Sequence, residues 1–286
     1  MIKEFIININ LIIFFFSYMA RYSLITGSTG LLGEQHAIAL AEKKFSLILI
    51  DLDERKLQIQ CKKIKKLFDK TKIKYFVCDI TKENQIIKLK RELIKKRIMP
   101  EVLVNNAALN PKMKKFTKNK STGTIENYNI DYLKKEIDVN LISAFIMIKH
   151  FGSSMATKKN GSIINIGSDL SINAPDQSVY HKSENIRLVK NFKPIGYSLS
   201  KFGIIGLTKY VATYWGHKNV RCNALVLGAV ENKQSNFLKK NVTKRIPLLR
   251  WAKKDEYKKA LQFLSCKDSS YMTGQMLIMD GGRSSW

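Results

Sequence analysis

From residue 22 to the end, short apolar runs alternate with longer amphipathic stretches, and most of the runs are apolar at every position rather than at every second one. A strand with one wet face alternates; a strand covered on both faces does not. Runs at 22–26, 46–50, 73–77, 102–105, 162–166, 220–225 and 276–279 read as strands. Helix-like stretches at 31–43, 54–68, 82–97, 132–155, 197–215 and 253–264 separate them. The pattern predicts a doubly wound α/β fold: a mostly parallel seven-stranded sheet with helices on both faces, binding ligands at the carboxyl ends of its strands. Two segments break the rhythm, the polar and Lys-rich 109–127 and the stretch 169–194. Long irregular segments in a compact domain are expected to be lids or insertions.

The first strand ends in Thr26-Gly27-Ser28-Thr29-Gly30-Leu31-Leu32-Gly33. A glycine-rich turn opening a helix lets the backbone approach a pyrophosphate and aims free N–H groups at it. Asp51 follows some twenty residues on, at the end of the second run. A carboxylate there accepts hydrogen bonds from the adenosine ribose hydroxyls and repels a 2′-phosphate. The turn has no Lys or Arg to partner such a phosphate, so NAD is expected over NADP. Asp53 reads as the N-cap of the next helix. These features define a dinucleotide-binding (Rossmann) domain over residues 20–286.

Residues 1–19 form a hydrophobic extension. Its apolar run at 5–19 is broken by Asn8 and Asn10 and is shorter than the ~20 residues of a spanning helix. Three readings stay open: a misassigned start with Met19 as the true first residue, a membrane anchor, or a signal peptide without a clean cleavage site. A cytoplasmic protein is expected, with membrane association through residues 5–19 open.

Composition narrows the partners. The chain is 45% hydrophobic, enough for a large core, which excludes a disordered chain. A net charge of +27 could serve nucleic acid or an acidic membrane. Its carriers are 41 Lys scattered along the chain against 9 Arg, amid abundant Ile and Asn. AT-biased coding produces that pattern, so no nucleic-acid partner is expected and Lys112–Lys120 reads as a solvated loop. Cys61, Cys78, Cys222 and Cys266 lie far apart without a CxxC, which suits a reducing compartment. His36, His150, His181 and His217 have no ligand spacing, so no metal is expected and helix-face or surface positions are.

Tyr197 and Lys201 stand at i and i+4, on one helical face. A nearby ammonium favours the phenolate, so the Tyr197 pKa is expected to fall and the phenol to exchange protons with a carbonyl or alcohol.

Taken together, these residues resemble the short-chain dehydrogenase/reductase family over nearly all of 21–286. The matching features, in order, are TGSTGLLG, Asp51, Cys78-Asp79-Ile80, Asn105-Asn106-Ala107-Ala108, Asp138-Val139-Asn140, Ser168, Tyr197-Ser198-Leu199-Ser200-Lys201, Arg221-Cys222-Asn223-Ala224, Met272-Thr273-Gly274-Gln275 and Asp280-Gly281-Gly282. The resemblance implies Tyr197 as acid/base, Lys201 as its tuner and ribose ligand, Ser168 on the reacting oxygen and Asn140 as holder of a relay water. It implies cofactor contacts from Gly27, Thr29, Gly30, Leu32, Gly33, Asp51, Asp79 (at the adenine), Ile80, Asn106, Ala107, Gly228 and Val230, besides Tyr197 and Lys201. It also implies a homotetramer or homodimer packed through the helix 197–215. Three features depart from the family's usual pattern. The middle glycine of the turn is shifted by one, Leu227-Gly228 replaces Pro-Gly, and 29 positions separate Ser168 from Tyr197, far more than usual.

A narrower resemblance, carried by TGSTGLLGEQHA, Ala174-Pro175-Asp176-Gln177, the run LTKYVATYW and the ending DGGRSSW, is to the branch named flagellin modification protein A. It implies a small-molecule, sugar-related substrate in surface-glycan synthesis. Within 169–194, Arg187, Lys190 and His181 are the candidate substrate contacts, Arg187 because Arg is scarce and its guanidinium suits a phosphate or carboxylate. Two alternatives remain: a 3-oxoacyl reductase acting on an acidic carrier protein, and a non-catalytic cofactor sensor or nucleic-acid binder. The polar, basic insert weighs against the first, and the complete Asn140, Ser168, Tyr197 and Lys201 set against the second.

Overall fold

The computed structural model describes residues 20–110, 124–181 and 192–286. Residues 1–19, the Lys112–Lys120 segment, and Arg187 and Lys190 lie outside the described residues.

The continuously apolar runs do become strands covered on both faces. β1 (Tyr22–Thr26), β2 (Ser46–Asp51), β3 (Ile73–Val77), β4 (Pro100–Asn105), β5 (Gly161–Ser168), β6 (Val220–Leu227) and β7 (Met276–Met279) form one sheet in the order β3-β2-β1-β4-β5-β6-β7. All neighbouring pairs are parallel. Leu24, Ile48, Leu103 and Ile163 face one core layer; Ile25, Leu49, Val104 and Ile164 face the other. A fully buried Leu or Ile stabilises by ~1.5–3 kcal/mol, so a polar substitution in any central strand is costly from either side. The edge strands β3 and β7 are the exceptions: every position in them is only partly buried or exposed.

The chain reverses its direction of travel across the sheet between β1 and β4. The cleft at their carboxyl ends is where such folds bind ligands. Around the sheet lie α1 (Leu31–Glu42), α2 (Glu54–Leu67), α3 (Glu83–Lys95), α4 (Ile130–Ile137), α5 (Ser143–Met147), α6 (Ser153–Thr157), α7 (Ile195–Trp215), α8 (Asn236–Thr243) and α9 (Lys258–Ser265). Asp53 caps α2 as expected, its carboxylate accepting from the Lys56 N–H.

Some expected boundaries move. The single helix expected at 132–155 begins at Ile130 and is interrupted by two π-helical segments, Asp138–Ile142 and Ile148–Gly152. π-Bulges of this kind recur at functional positions, and the first one contains Asn140. α9 starts at Lys258 rather than 253, and α8 is a helix that the apolar pattern does not announce. The first half of the insert folds as two 3₁₀ turns, Asp169–Ser171 and Gln177–Tyr180. It docks on α8: Val179 packs with Val242, Ile246 and Trp251, and Arg245 pairs with Asp176 at 2.8 Å. Among the described residues, no helix is long and apolar enough to cross a membrane.

Candidate active site

The glycine turn is built by close approach. Gly27 has φ +58°, and a Cβ there would lie 2.8 Å from Ala107 Cα; one on Gly33 would lie 2.2 Å from the Gly27 carbonyl oxygen. Only glycine meets both demands. Asn106 ties this turn to the loop after β4: its Nδ2 donates to the carbonyls of Thr26 and Gly27 at 3.0 and 2.9 Å. The Thr26 hydroxyl oxygen accepts from the N–H groups of Asn106 and Ala107, both at 3.1 Å. Gly27, Asn106 and Ala107 are thus one unit at the switch point.

Asp51, at the end of β2, turns its carboxylate toward the turn. Its Oδ2 accepts from the Thr29 N–H at 2.9 Å and the Thr29 hydroxyl at 2.7 Å, while Oδ1 accepts from Leu52 N–H. Asp79 stabilises its own loop, accepting from Thr81 N–H and hydroxyl at 3.0 and 2.7 Å, and Ile80 beside it is buried. Gly30 is the N-cap of α1 and Leu32 packs against the core behind it. Gly228 is forced by the Asp280 backbone, which a Cβ would approach to 2.6 Å, and Val230 pairs with Ala252.

His36, expected on a helix face or the surface, stands on the helix α1 with its side chain fully buried. Burial pushes its pKa down to about 4, so it is a neutral imidazole.

The second half of the site stands at the end of β5. Lys201 is buried one helical turn beyond Tyr197, its Nζ 5.8 Å from the Tyr197 ring centroid. That ammonium donates to the Ile166 carbonyl at 2.6 Å, and burial pushes its pKa down to about 8. Ser168 closes β5; its hydroxyl donates to Asp169 Oδ1 at 2.9 Å.

The expected lowering of the Tyr197 pKa is corrected. Burial pushes it up to about 12, with Asp169 and Tyr180 adding to the rise and the Ser168 hydroxyl opposing it as a hydrogen-bond partner. Desolvation of the phenolate outweighs Lys201, whose ammonium is turned to the Ile166 carbonyl. Tyr197 is therefore held as a neutral phenol.

Asn140 is buried within the first π-helical segment. Its Oδ1 accepts from Leu109 N–H at 2.6 Å, and its Nδ2 donates to the Leu109 carbonyl at 3.1 Å and to Ser200 Oγ at 3.0 Å. It joins the loop after β4 to α7, the helix that carries Tyr197 and Lys201.

Sequence reasoning missed part of this centre. Asp169 is buried and ion-paired with Arg283 from the C-terminal tail, their side chains 7% and 13% exposed. Lys193 lies with its Nζ 4.3 Å from the Tyr197 ring centroid and donates to Asn110 Oδ1 at 2.7 Å. Glu136 is buried below, accepting from the Tyr128 hydroxyl at 2.5 Å, and burial pushes its pKa up. The scarcity of Arg that singles out Arg187 singles out Arg283 equally. His181 is partly buried and follows directly on the 3₁₀ turn Gln177–Tyr180. Among the described residues no cluster of His, Cys, Asp or Glu could hold a metal.

Comparison with known proteins gives this geometry relatives. A family model described as enoyl-(acyl carrier protein) reductase matches residues 29–284. A 3-oxoacyl-(acyl-carrier-protein) reductase of Thermotoga maritima is 28% identical over 267 residues, 92% of this chain and 97% of its own. A 2-dehydro-3-deoxy-D-gluconate 5-dehydrogenase of Pseudoalteromonas atlantica is 26% identical over 282 residues, 93% of this chain and 97% of its own. Among solved structures, a gluconate 5-dehydrogenase from Burkholderia cenocepacia, in complex with NADP and tartrate, superposes with a TM-score of 0.79 at 24% identity, covering 93% of this chain and 96% of that one. A match across most of the sequence, on a fold whose switch point is framed by the glycine turn and the Tyr197–Lys201 helix, makes this chain a member of the short-chain dehydrogenase/reductase family of oxidoreductases.

Proposed function

We propose that the chain transfers a hydride between NAD(H) and a carbonyl or alcohol on a small polar, sugar-related substrate, and that it acts as a homo-oligomer in the synthesis of a surface or flagellin glycan. The observation that carries the reading is the convergence of Ser168, Tyr197 and buried Lys201 at the end of β5, tied through Asn140 and Leu109 to the loop that packs on the glycine turn. The Pseudoalteromonas relative, named for a carboxylated sugar, supports the substrate class. The oligomer is supported by exposed apolar side chains on α7, Leu199, Phe202, Tyr210 and Tyr214.

The residues present fit a dinucleotide. The Gly27–Gly33 turn leaves no room for a Cβ, which is the shape a pyrophosphate requires of a backbone cradle. Gly27, Thr29, Gly30, Leu32 and Gly33 would hold the phosphates. Asp51 would hold the adenosine ribose, and a negative charge there favours NAD over NADP. Asp79, Ile80, Asn106, Ala107, Gly228 and Val230 would line the rest of the cleft. When bound, the cofactor supplies or accepts the hydride.

The chain's own residues manage the proton. Tyr197, neutral at physiological pH, donates from its phenol oxygen to the carbonyl oxygen. Lys201, anchored on the Ile166 carbonyl, keeps two further N–H donors for ribose hydroxyls and offsets the phenolate that forms. The Ser168 hydroxyl stands between two acceptors, Asp169 Oδ1 and the Tyr197 oxygen. Its one proton turns toward the oxygen that is becoming negative.

A second reading, reduction of a 3-oxoacyl thioester on a carrier protein, is supported by the Thermotoga relative and by the +27 charge, which suits an acidic partner. The deciding experiment follows NADH and NADPH absorbance with keto-sugars, keto-sugar acids and acetoacetyl thioesters side by side. The first reading expects turnover of the sugars with NADH. Turnover confined to thioesters establishes the second, and turnover of neither refutes both.

A further inference from the structure

The face of Tyr197 carries a cation that the proton transfer does not use. Lys193 reaches the centre from the end of the insert. Its backbone N–H is fixed by Gln177 Oε1 at 2.9 Å, its Nζ sits 4.3 Å from the Tyr197 ring centroid, and its hydrogen-bond partner Asn110 Oδ1 is a neutral amide. Asn110 belongs to the loop whose Leu109 is clamped by Asn140, so both ends of this contact are anchored beside the catalytic residues. Asp169, at β5's exit, is paired with Arg283, and Glu136 accepts from Tyr128 through Oε2. Among the described residues, the ammoniums of Lys193 and Lys201 thus flank the Tyr197 ring, and Arg283 pairs with Asp169 beside Ser168.

A partly buried ammonium with no carboxylate in ion-pair contact among the described residues gains when a ligand supplies the counter-charge. Here burial pushes the Lys193 pKa down to about 8, against the pull of Asp169 and Glu136. An anionic ligand would reverse that loss and gain a charge-assisted hydrogen bond.

We infer that Lys193, with Asn110 beside it, is a carboxylate-binding subsite, and that the substrate carries a carboxylate close to the carbon that reacts at Tyr197. This deepens the reading of the chain as a sugar-directed oxidoreductase and rests on it. Asn110 orients the ammonium, and its own N–H₂ can turn to a second carboxylate oxygen.

The test is equilibrium titration of the NADH-loaded protein with D-gluconate and with D-glucitol, which share a carbon skeleton and differ by a terminal carboxylate in place of CH₂OH. Wild type is expected to prefer gluconate by roughly tenfold or more, the range of a charged hydrogen bond. Lys193→Met should collapse that preference toward unity, and Lys193→Arg should restore most of it. Thermal melting and NADH titration of Lys193→Met check that fold and cofactor site persist. Equal binding of the two sugars by wild type, or an unchanged preference in a folded Lys193→Met, overturns the inference. Wild type that prefers gluconate but never oxidises or reduces any sugar refutes the proposed activity instead and leaves the subsite standing.

Discussion

Replacing Arg283 with Met removes one partner of a buried ion pair while keeping most of the side-chain volume. Asp169 is then left with a carboxylate only 7% exposed, still accepting from the Ser168 hydroxyl and the Leu170 N–H but without its cation. Removing one member of a buried pair costs about 3–5 kcal/mol, because the survivor is an uncompensated charge. For a domain of this size, ~1 kcal/mol lowers Tm by ~2–4 °C. Taking the lower end, Arg283→Met should melt about 6–10 °C below wild type by circular dichroism or calorimetry. The partner variant separates charge from shape: Asp169→Asn keeps Oδ1 as an acceptor and removes the charge, so Arg283→Met/Asp169→Asn should recover about half of the loss or more. Activity should fall in Arg283→Met as well, since Asp169 fixes the Ser168 hydroxyl. A single variant melting within 1–2 °C of wild type, or a double variant whose losses simply add, would refute the reasoning that the pair is buried and coupled.

Asp51→Ala should weaken NADH binding and narrow the gap to NADPH, read by fluorescence titration of both; it also frees Thr29 from two hydrogen bonds, so the turn itself should loosen. Wild type that already prefers NADPH contradicts the role given to Asp51. Gly33→Ala places a Cβ 2.2 Å from the Gly27 carbonyl oxygen, so cofactor affinity should drop by an order of magnitude or more while the sheet still forms; unaltered NADH affinity would mean the turn is not the phosphate site. For carbonyl reduction, Tyr197 stays protonated throughout the working range, whereas Lys201 is cationic below about pH 8 and neutral above it. The rate should therefore fall as pH rises through about 8, and a profile that climbs across that interval would contradict the charge assigned to Lys201.

The sheet was legible because strands covered on both faces cannot alternate, and that constraint acts through short-range composition alone. The glycine turn was legible because backbone contacts at 2.2–2.8 Å admit only one residue type. What stayed hidden depends on contacts distant in sequence. Asp169 meets Arg283 across 114 positions, and Lys193 meets Asn110 across 83. No local period or spacing encodes either. The Tyr197 pKa went the other way from the i, i+4 expectation for a related reason: helix spacing gives proximity to Lys201 but says nothing of burial, or of the Ile166 carbonyl that takes the ammonium. α8 was hidden because its apolar positions serve a small satellite core with Val179 and Trp251 rather than the sheet.

In the proposed chemistry Tyr197 transfers the proton while the glycine turn holds the cofactor. Single-turnover reduction of a keto-sugar acid by Tyr197→Phe, measured beside NADH titration of the same variant, tests it most directly. NADH affinity is expected within a few-fold of wild type and the rate lower by ~10²–10⁴, the range of general acid catalysis. A Tyr197→Phe enzyme that binds NADH normally and turns over at near the wild-type rate would contradict it.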